Sequence, residues 1–240
     1  MPSSAELLYE QLAPALDDGG RRQLRIECCT SVAEALDRCG RMLWGASWVL
    51  RNKRGEALAI VTEVAGELAL SACTLYSNRA WYAGGALVRS LIETEYLLYL
   101  FAHEDHAAEK WLTSSPEQIR KLFSPAQIRR RCTDQFRDSE YWAHCDIGGH
   151  PSPMSRQLLR DHSFAHWSHN WLWLDLAQHL SRVWPSFLQS VLRLGVANYL
   201  EEIYLKEEVV SRADEAIMAW RSGEAPELLK LSIPTPEGAA

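Results

Sequence analysis

Residues 81–103 constrain the fold more than any other stretch of the chain. Projected at 100° per residue, Trp81–His103 is apolar on almost every side, with Leu87, Leu91 and Leu98 on one and Val88, Ile92 and Tyr99 on another. A helix without a polar face has to be enclosed, so other elements must surround it. The same periodicity supplies them. Between Arg21 and Leu50 the residues Leu24, Cys28, Val32, Ala35, Leu36, Cys39, Leu43 and Ala46 recur at three- and four-residue steps. Ala57–Leu75 repeats the pattern through Ile60, Val61, Val64, Ala65, Leu68, Ala72 and Cys73. Asn52–Gly55 is expected to separate these two helices, and Ser77 and Asn78 to cap the start of the third. No stretch alternates apolar and polar residues as a half-buried strand does. The expected fold class is all-α, an antiparallel helical bundle.

Shorter elements are expected at its edge. Ser115-Pro116-Glu117-Gln118-Ile119-Arg120-Lys121 is echoed by Ser124-Pro125-Ala126-Gln127-Ile128-Arg129-Arg130, and each copy opens with a cap residue followed by proline, the signature of a short helix start. Gly148-Gly149-His150-Pro151-Ser152-Pro153 reads as a loop, because each proline removes an amide donor and restricts the residue before it. Helical patterns resume over 164–183 and again from Pro185 to Trp220. The domain organisation expected is a short helix and turn over residues 1–20, a single bundle over 21–222, and a tail over 223–240 carrying Pro226, Pro234 and Pro236.

Composition removes several classes of function. With 47% hydrophobic and 23% charged residues and ten tryptophans, the chain can bury a core rather than stay disordered. A formal charge of −6 gives no general attraction to nucleic acid or anionic membranes, so contact with phosphates falls to a local basic run, Arg120-Lys121 and Arg129-Arg130-Arg131, with Phe123 between. Most such runs are solvated helix faces with cations near a C-terminus. The six cysteines contain no Cys-x-x-Cys and read as reduced, buried thiols. The N-terminal residues lack a signal pattern, and charges interrupt every long apolar run, so a cytoplasmic protein with no membrane partner is expected.

The chemistry-bearing residues are few. Arg89 and Glu93 stand four apart on the most apolar helix, and Tyr82, Tyr96, Leu100 and His103 fall within about 40° of Arg89. They read as a buried ion pair, either structural or part of a site. Gly84 and Gly85, one turn earlier, leave room for another backbone or a ligand. His150, held by glycines and prolines, is positioned without helix packing and is of the residue type that most often serves as a general acid or base. It reads equally as an exposed loop residue. Arg137 and His144, seven apart, lie about 20° from each other on a helix. His103-x-x-His106-x-x-Glu109 and His162, His166 and His169 have helical spacing. Neither contains His-Glu-x-x-His or the paired Glu-x-x-His of di-iron bundles, so no metal and no other cofactor is assigned. Trp167, Trp171 and Leu174 read as core or dimer surface.

The run Ala83-Gly84-Gly85-Ala86-Leu87-Val88-Arg89-Ser90-Leu91-Ile92-Glu93, followed by an apolar helix and later by Tyr141 and His150-Pro151-Ser152-Pro153, resembles an uncharacterised family of bacterial helical proteins. That family is similar to a distant branch of the HEPN (higher eukaryote and prokaryote nucleotide-binding) superfamily, and the resemblance spans roughly residues 55–200. It implies a helical bundle, often dimeric, and for many members a metal-independent endoribonuclease of toxin–antitoxin or phage-defence systems. The superfamily's arginine and histidine, separated by four to six residues with a polar residue after the arginine, match Arg137-Asp138 and His144, whereas Arg89, Glu93 and His150 match the other branch. The two assignments compete for the catalytic role. Tyr82, Tyr96, Tyr141, Arg129, Arg130 and Arg131 are the candidate substrate contacts. The partners implied are RNA or a nucleotide, a second copy of the chain, and a cognate antitoxin or other partner protein. Three functions fit these residues: an endoribonuclease, a non-catalytic nucleotide- or anion-binding regulatory module, and a metal-dependent hydrolase.

Overall fold

A computed structural model describes residues 11–132, 134–145, 150, 151, 155, 158, 159, 165–199 and 208–230, and among them every regular element is helical. Helices α1 (Gly19–Leu50), α2 (Lys53–Ser77) and α3 (Trp81–His103) pack in succession, α1 on α2 and α2 on α3. Four short helices follow: α4 (Ala107–Thr113), α5 (Pro116–Leu122), α6 (Pro125–Arg131) and α7 (Asp138–His144). The long α8 (Ala165–Arg193) lies against α1 and α3, and α9 (Glu208–Gly223) lies against α1. The expected all-α bundle with short helices at its edge is what forms.

Local chemistry explains where the boundaries moved. Asp18 accepts the Arg21 amide at 2.8 Å and caps α1, so Gly19 and Gly20 belong to the helix rather than to a turn before it. Leu12 and Leu16 in the preceding helical segment, residues 11–16, are buried in the common core. Arg51 ends α1 in the left-handed conformation, φ 53°. Asn52 then accepts the Arg54 and Gly55 amides, both at 3.1 Å, so Asn52–Gly55 is the cap and first turn of α2 rather than a separate loop. Asn78 ends α2 instead of capping α3, which starts at Trp81 with no side-chain cap. α1 and α2 touch backbone to backbone. A Cβ at Gly40 would lie 2.5 Å from the Glu63 nitrogen, and one at Gly66 would lie 2.2 Å from the Asp37 nitrogen.

α2 is long and apolar enough to cross a membrane by length and composition, and half of that stretch is buried inside the bundle. α3 is enclosed as its sequence requires, with Val88, Leu91, Ile92, Leu98 and Leu100 buried. The space beside Gly84 is taken by the Tyr76 ring, 2.3 Å from where a Cβ would stand, and not by a ligand. At the edge, Ser115 and Gln118 form a reciprocal capping box on α5, while Ser124 makes no side-chain cap on α6.

Pro185 does not break the helix that carries it. α8 runs unbroken from Ala165 to Arg193, where separate helices are expected on either side of the proline. A proline here cannot donate to the carbonyl of Ser181, four residues earlier. Arg221 of α9 donates to that carbonyl instead, at 3.2 Å. Trp171, Trp173 and Trp184 are buried, so the tryptophans of α8 in the described side chains form core and not dimer surface.

Residues 224–230 also join the bundle. Glu224, Ala225 and Leu228 are buried. Arg25, itself wholly buried, meets Glu224 through Nε at 2.6 Å and a terminal nitrogen at 2.8 Å, and donates to the Leu16 and Ala15 carbonyls at 2.8 and 3.2 Å. One guanidinium thus ties the N-terminal segment, α1 and the end of α9 together.

Candidate functional site

Two polar clusters face the core of α3, and they differ in whether water reaches them. The first stands on Arg89, Glu93 and Tyr96, at i, i+4 and i+7 on one side of α3, and is covered by α7. Arg89 meets Glu93 at 2.9 Å and donates to the Tyr141 hydroxyl at 2.6 Å, and that hydroxyl lies 3.4 Å from the same Glu93 oxygen. The Arg129 guanidinium sits 4.0 Å over the Tyr141 ring and is held by Asp138 at 2.6 Å. The Tyr96 ring packs 4.2 Å from Phe136.

The pair expected to be buried is not. The side chains of Arg89 and Glu93 are 27% and 36% exposed, because α7 is a short cover that shields only part of this face. Burial pushes the Tyr141 phenol up, with Arg89 pulling against it, so the hydroxyl stays protonated and available as a donor. Loss of water works against the charge on Arg89, yet Cys145 and Glu93 hold it firmly protonated. The Nε of Arg89 and one terminal nitrogen of Arg129 are buried without a hydrogen-bond partner.

The remaining sequence candidates fall into distinct surroundings. His150 is exposed, and its amide donates to the Cys145 carbonyl at 3.1 Å just past the end of α7, while residues 148, 149 and 152–153 of the expected loop lie outside the described residues. Among the described residues no hydrogen bond or ion pair joins its ring to Arg89. Arg137 is exposed at the N-cap of α7 while His144 is buried at its other end, so this pair does not share one environment. Tyr82 is half-buried against the core. Arg130 and Arg131 are exposed, Arg131 pairing with Glu104 at 3.0 Å, whereas Arg129 is buried.

The histidine sets weighed for metal are dispersed. His103 stacks on Tyr99, His106 contacts Arg54, and His169 stacks on Trp81 at 3.8 Å. Glu109 pairs with Arg54 at 3.7 Å. His162 and the His166 side chain lie outside the described residues.

The second cluster is enclosed and was not anticipated as a unit. Asp175, His179 and Arg182, at i, i+4 and i+7, line one face of α8 and meet Glu95 of α3 and Glu140 and His144 of α7. His144 Nδ1 is 2.7 Å from the Glu140 carbonyl, and its Nε2 is 3.1 Å from each Asp175 oxygen. His179 Nε2 is 3.1 Å from His144 Nε2, and its Nδ1 is 2.7 Å from Glu95. Arg182 closes the set, 2.9 Å from Glu95 and 2.7 Å from Glu140.

Charge dominates this cluster's titration. Burial disfavours the His144 cation, but Asp175 outweighs it and raises the imidazole; burial likewise opposes ionisation of Asp175 and Glu140, yet His144 and Arg182 respectively hold those carboxyls low. A cavity of about 210 Å³ beside the cluster is lined by Glu95, Arg182, Tyr99, Phe136, His103 and Ser186. In sequence, the signal available was Asp175-x-x-x-His179-x-x-Arg182, three charged or titratable residues on one face of a tryptophan- and leucine-rich helix. No family model, curated protein or solved structure matches the chain.

Proposed function

We propose that the Arg89, Glu93 and Tyr141 cluster is the working site, and that it grips and cleaves the phosphodiester backbone of RNA without a metal, in the manner of a HEPN-like endoribonuclease of toxin or phage-defence type. The observation that carries this reading is the 2.6 Å bond from Arg89, a partly exposed guanidinium, to the hydroxyl of Tyr141. A fixed cation beside a protonated phenol is what a pentavalent phosphorus centre needs: charge stabilisation and a proton for the leaving oxygen. His150, bound through its amide to the Cys145 carbonyl, supplies the base that takes the proton from the ribose 2′-hydroxyl. Attack by that oxygen breaks the bond from phosphorus to the 5′-oxygen, leaving a cyclic 2′,3′-phosphate and a 5′-hydroxyl. The exposed Arg130 and Arg131 extend the positive surface for the strand.

The test is end-labelled RNA incubated with purified protein in a chelator. Wild type should yield fragments with cyclic phosphate ends, while Arg89→Lys and His150→Ala lose the activity and keep their helical signal. Intact RNA after hours with well-folded wild type overturns the reading.

A second function, a non-catalytic nucleotide- or anion-binding regulatory module, is favoured by Glu93, which already neutralises Arg89 at 2.9 Å and weakens its hold on a polyanion. Melting raised by nucleotides with RNA left intact is its signature. In either case we propose a homodimer. The apolar end of α1 supports it, with Trp48, Val49 and Leu50 exposed and Trp44 stacked on Trp48. Light scattering giving a monomer at micromolar concentration rules that out.

A further inference from the structure

We infer that His144, Asp175 and His179 form a binding site for one divalent transition cation of the zinc class, with Glu95 and the Glu140 carbonyl orienting the two imidazoles. This site is separate from Arg89 and Tyr141, and the inference does not rest on ribonuclease activity.

Hydrogen bonds on their outer edges hold both rings in place. A carbonyl can only accept, so the 2.7 Å contact from His144 Nδ1 to the Glu140 carbonyl places the proton on Nδ1. His179 Nδ1 lies 2.7 Å from both the Glu95 carboxylate and an Arg182 terminal nitrogen, so the outer edge of the second ring is held by that ion pair. The two Nε2 atoms face each other at 3.1 Å with the Asp175 carboxylate against them. Three atoms of metal-ligating type thus converge on one point. An imidazole whose outer N–H is taken by a carboxylate or a backbone carbonyl is also the usual form of a metal-ligating histidine.

The spacing suits an ion. A circle through the two Nε2 atoms and Asp175 Oδ1 has a radius of about 1.9 Å, just inside the roughly 2.0–2.1 Å of a zinc–nitrogen bond, so one cation can touch all three from slightly above their plane. Two nitrogens and a carboxylate are the donors that imidazole-preferring first-row cations take. Charge agrees. Glu95, Glu140 and Asp175 face a single permanent cation, Arg182, so neutrality requires two more positive charges. A divalent ion supplies both charges and leaves each nitrogen a ligand. The buried Tyr76 hydroxyl, which has no hydrogen-bond partner and feels the charge of Asp175, is a polar group that a cation-bound water can satisfy.

The experiment uses the full chain, free of any histidine tag, dialysed against a chelator and then against Co²⁺ or Zn²⁺. We expect one Co²⁺ per chain with a visible ligand-field band, displacement of that band by Zn²⁺, a higher melting temperature with Zn²⁺, and proton release on binding. Asp175→Asn, which keeps the shape of the side chain, should weaken binding more than tenfold, and Glu95→Gln, a positioning change, by roughly ten- to a hundredfold. His103→Gln, outside the cluster, should bind as wild type does. Because the wild-type measurement needs no variant to fold, it decides alone. A well-folded chain that takes up no Co²⁺ and gains no stability from Zn²⁺ overturns the inference, as does an Asp175→Asn variant that binds as tightly as wild type.

Discussion

Replacing Glu224 by alanine should destabilise the fold by about 3–5 kcal/mol, the scale for stranding one member of a buried ion pair. Its partner Arg25 is wholly buried and cannot turn to water. The change removes two charge-assisted bonds of 2.6 and 2.8 Å, and it also takes the acceptor from the Trp220 indole and the Ala225 amide, both at 3.1 Å. The bonds from Arg25 to the Leu16 and Ala15 carbonyls remain, but they do not neutralise its charge. For a chain of this length each kcal/mol moves the melting temperature by roughly 2–4 °C, so a loss on the order of 10 °C is expected. Urea unfolding followed by tryptophan fluorescence gives the free energy directly. The double variant Arg25→Met with Glu224→Leu separates the pair from its surroundings. Removing both charges should restore most of the stability, because the desolvation cost goes with them. If Glu224→Ala costs less than about 1 kcal/mol, or the double variant is no more stable than the single, the pair does not hold α9 to α1 as described.

Glu93→Ala should cost only about 1 kcal/mol or less, because its pair with Arg89 is half-exposed; a loss of several kcal/mol in urea unfolding would mean the pair is buried in solution. Alkylation at pH 8 followed by peptide mapping should modify Cys132 long before Cys28 or Cys73, whose thiols burial pushes up to about 12; rapid labelling of either would refute that burial. Gly66→Ala forces a methyl to within 2.2 Å of the Asp37 nitrogen and should destabilise by about 1–3 kcal/mol, whereas Gly45→Ala, which meets nothing within 4 Å, should not; equal melting of the two variants removes the close α1 to α2 crossing.

Helix periodicity made most of the architecture legible, because enclosure of Trp81–His103 leaves few arrangements for the apolar faces around it. Boundaries went astray where one side chain overrides composition. Asp18 draws two glycines into α1, Asn52 converts a supposed loop into a helix start, and Pro185 passes through α8 because Arg221 compensates for it from another helix. The contact between Arg89 and Glu93 follows from their spacing of four. Their exposure depends on how far α7 covers them, and a local pattern cannot report that. The histidine cluster was hidden for a related reason. Glu95, His144 and His179 come from three helices separated by up to 84 positions, and each alone reads as an interruption in an apolar run. Only burial on all sides turns those interruptions into one network.

The proline in α8 carries a mechanical consequence. A helix resists bending through its ladder of carbonyl-to-amide rungs, and at Ser181 the missing rung is replaced by a strut from α9. Asp175 and His179 lie ahead of that gap and Arg182 within it, while Ser190, which donates to the Leu98 carbonyl at 3.0 Å, anchors the segment beyond it. α9 therefore acts as a splint across the joint, with Trp184 fastened to Asp214 at 2.7 Å beside it. Lifting α9 would leave α8 as two rods meeting at a pivot, and His179 on the first rod would drift relative to Glu95. In amide exchange, loosening of the C-terminal helix and loss of protection in the turn around Ser181 should accordingly occur as one event.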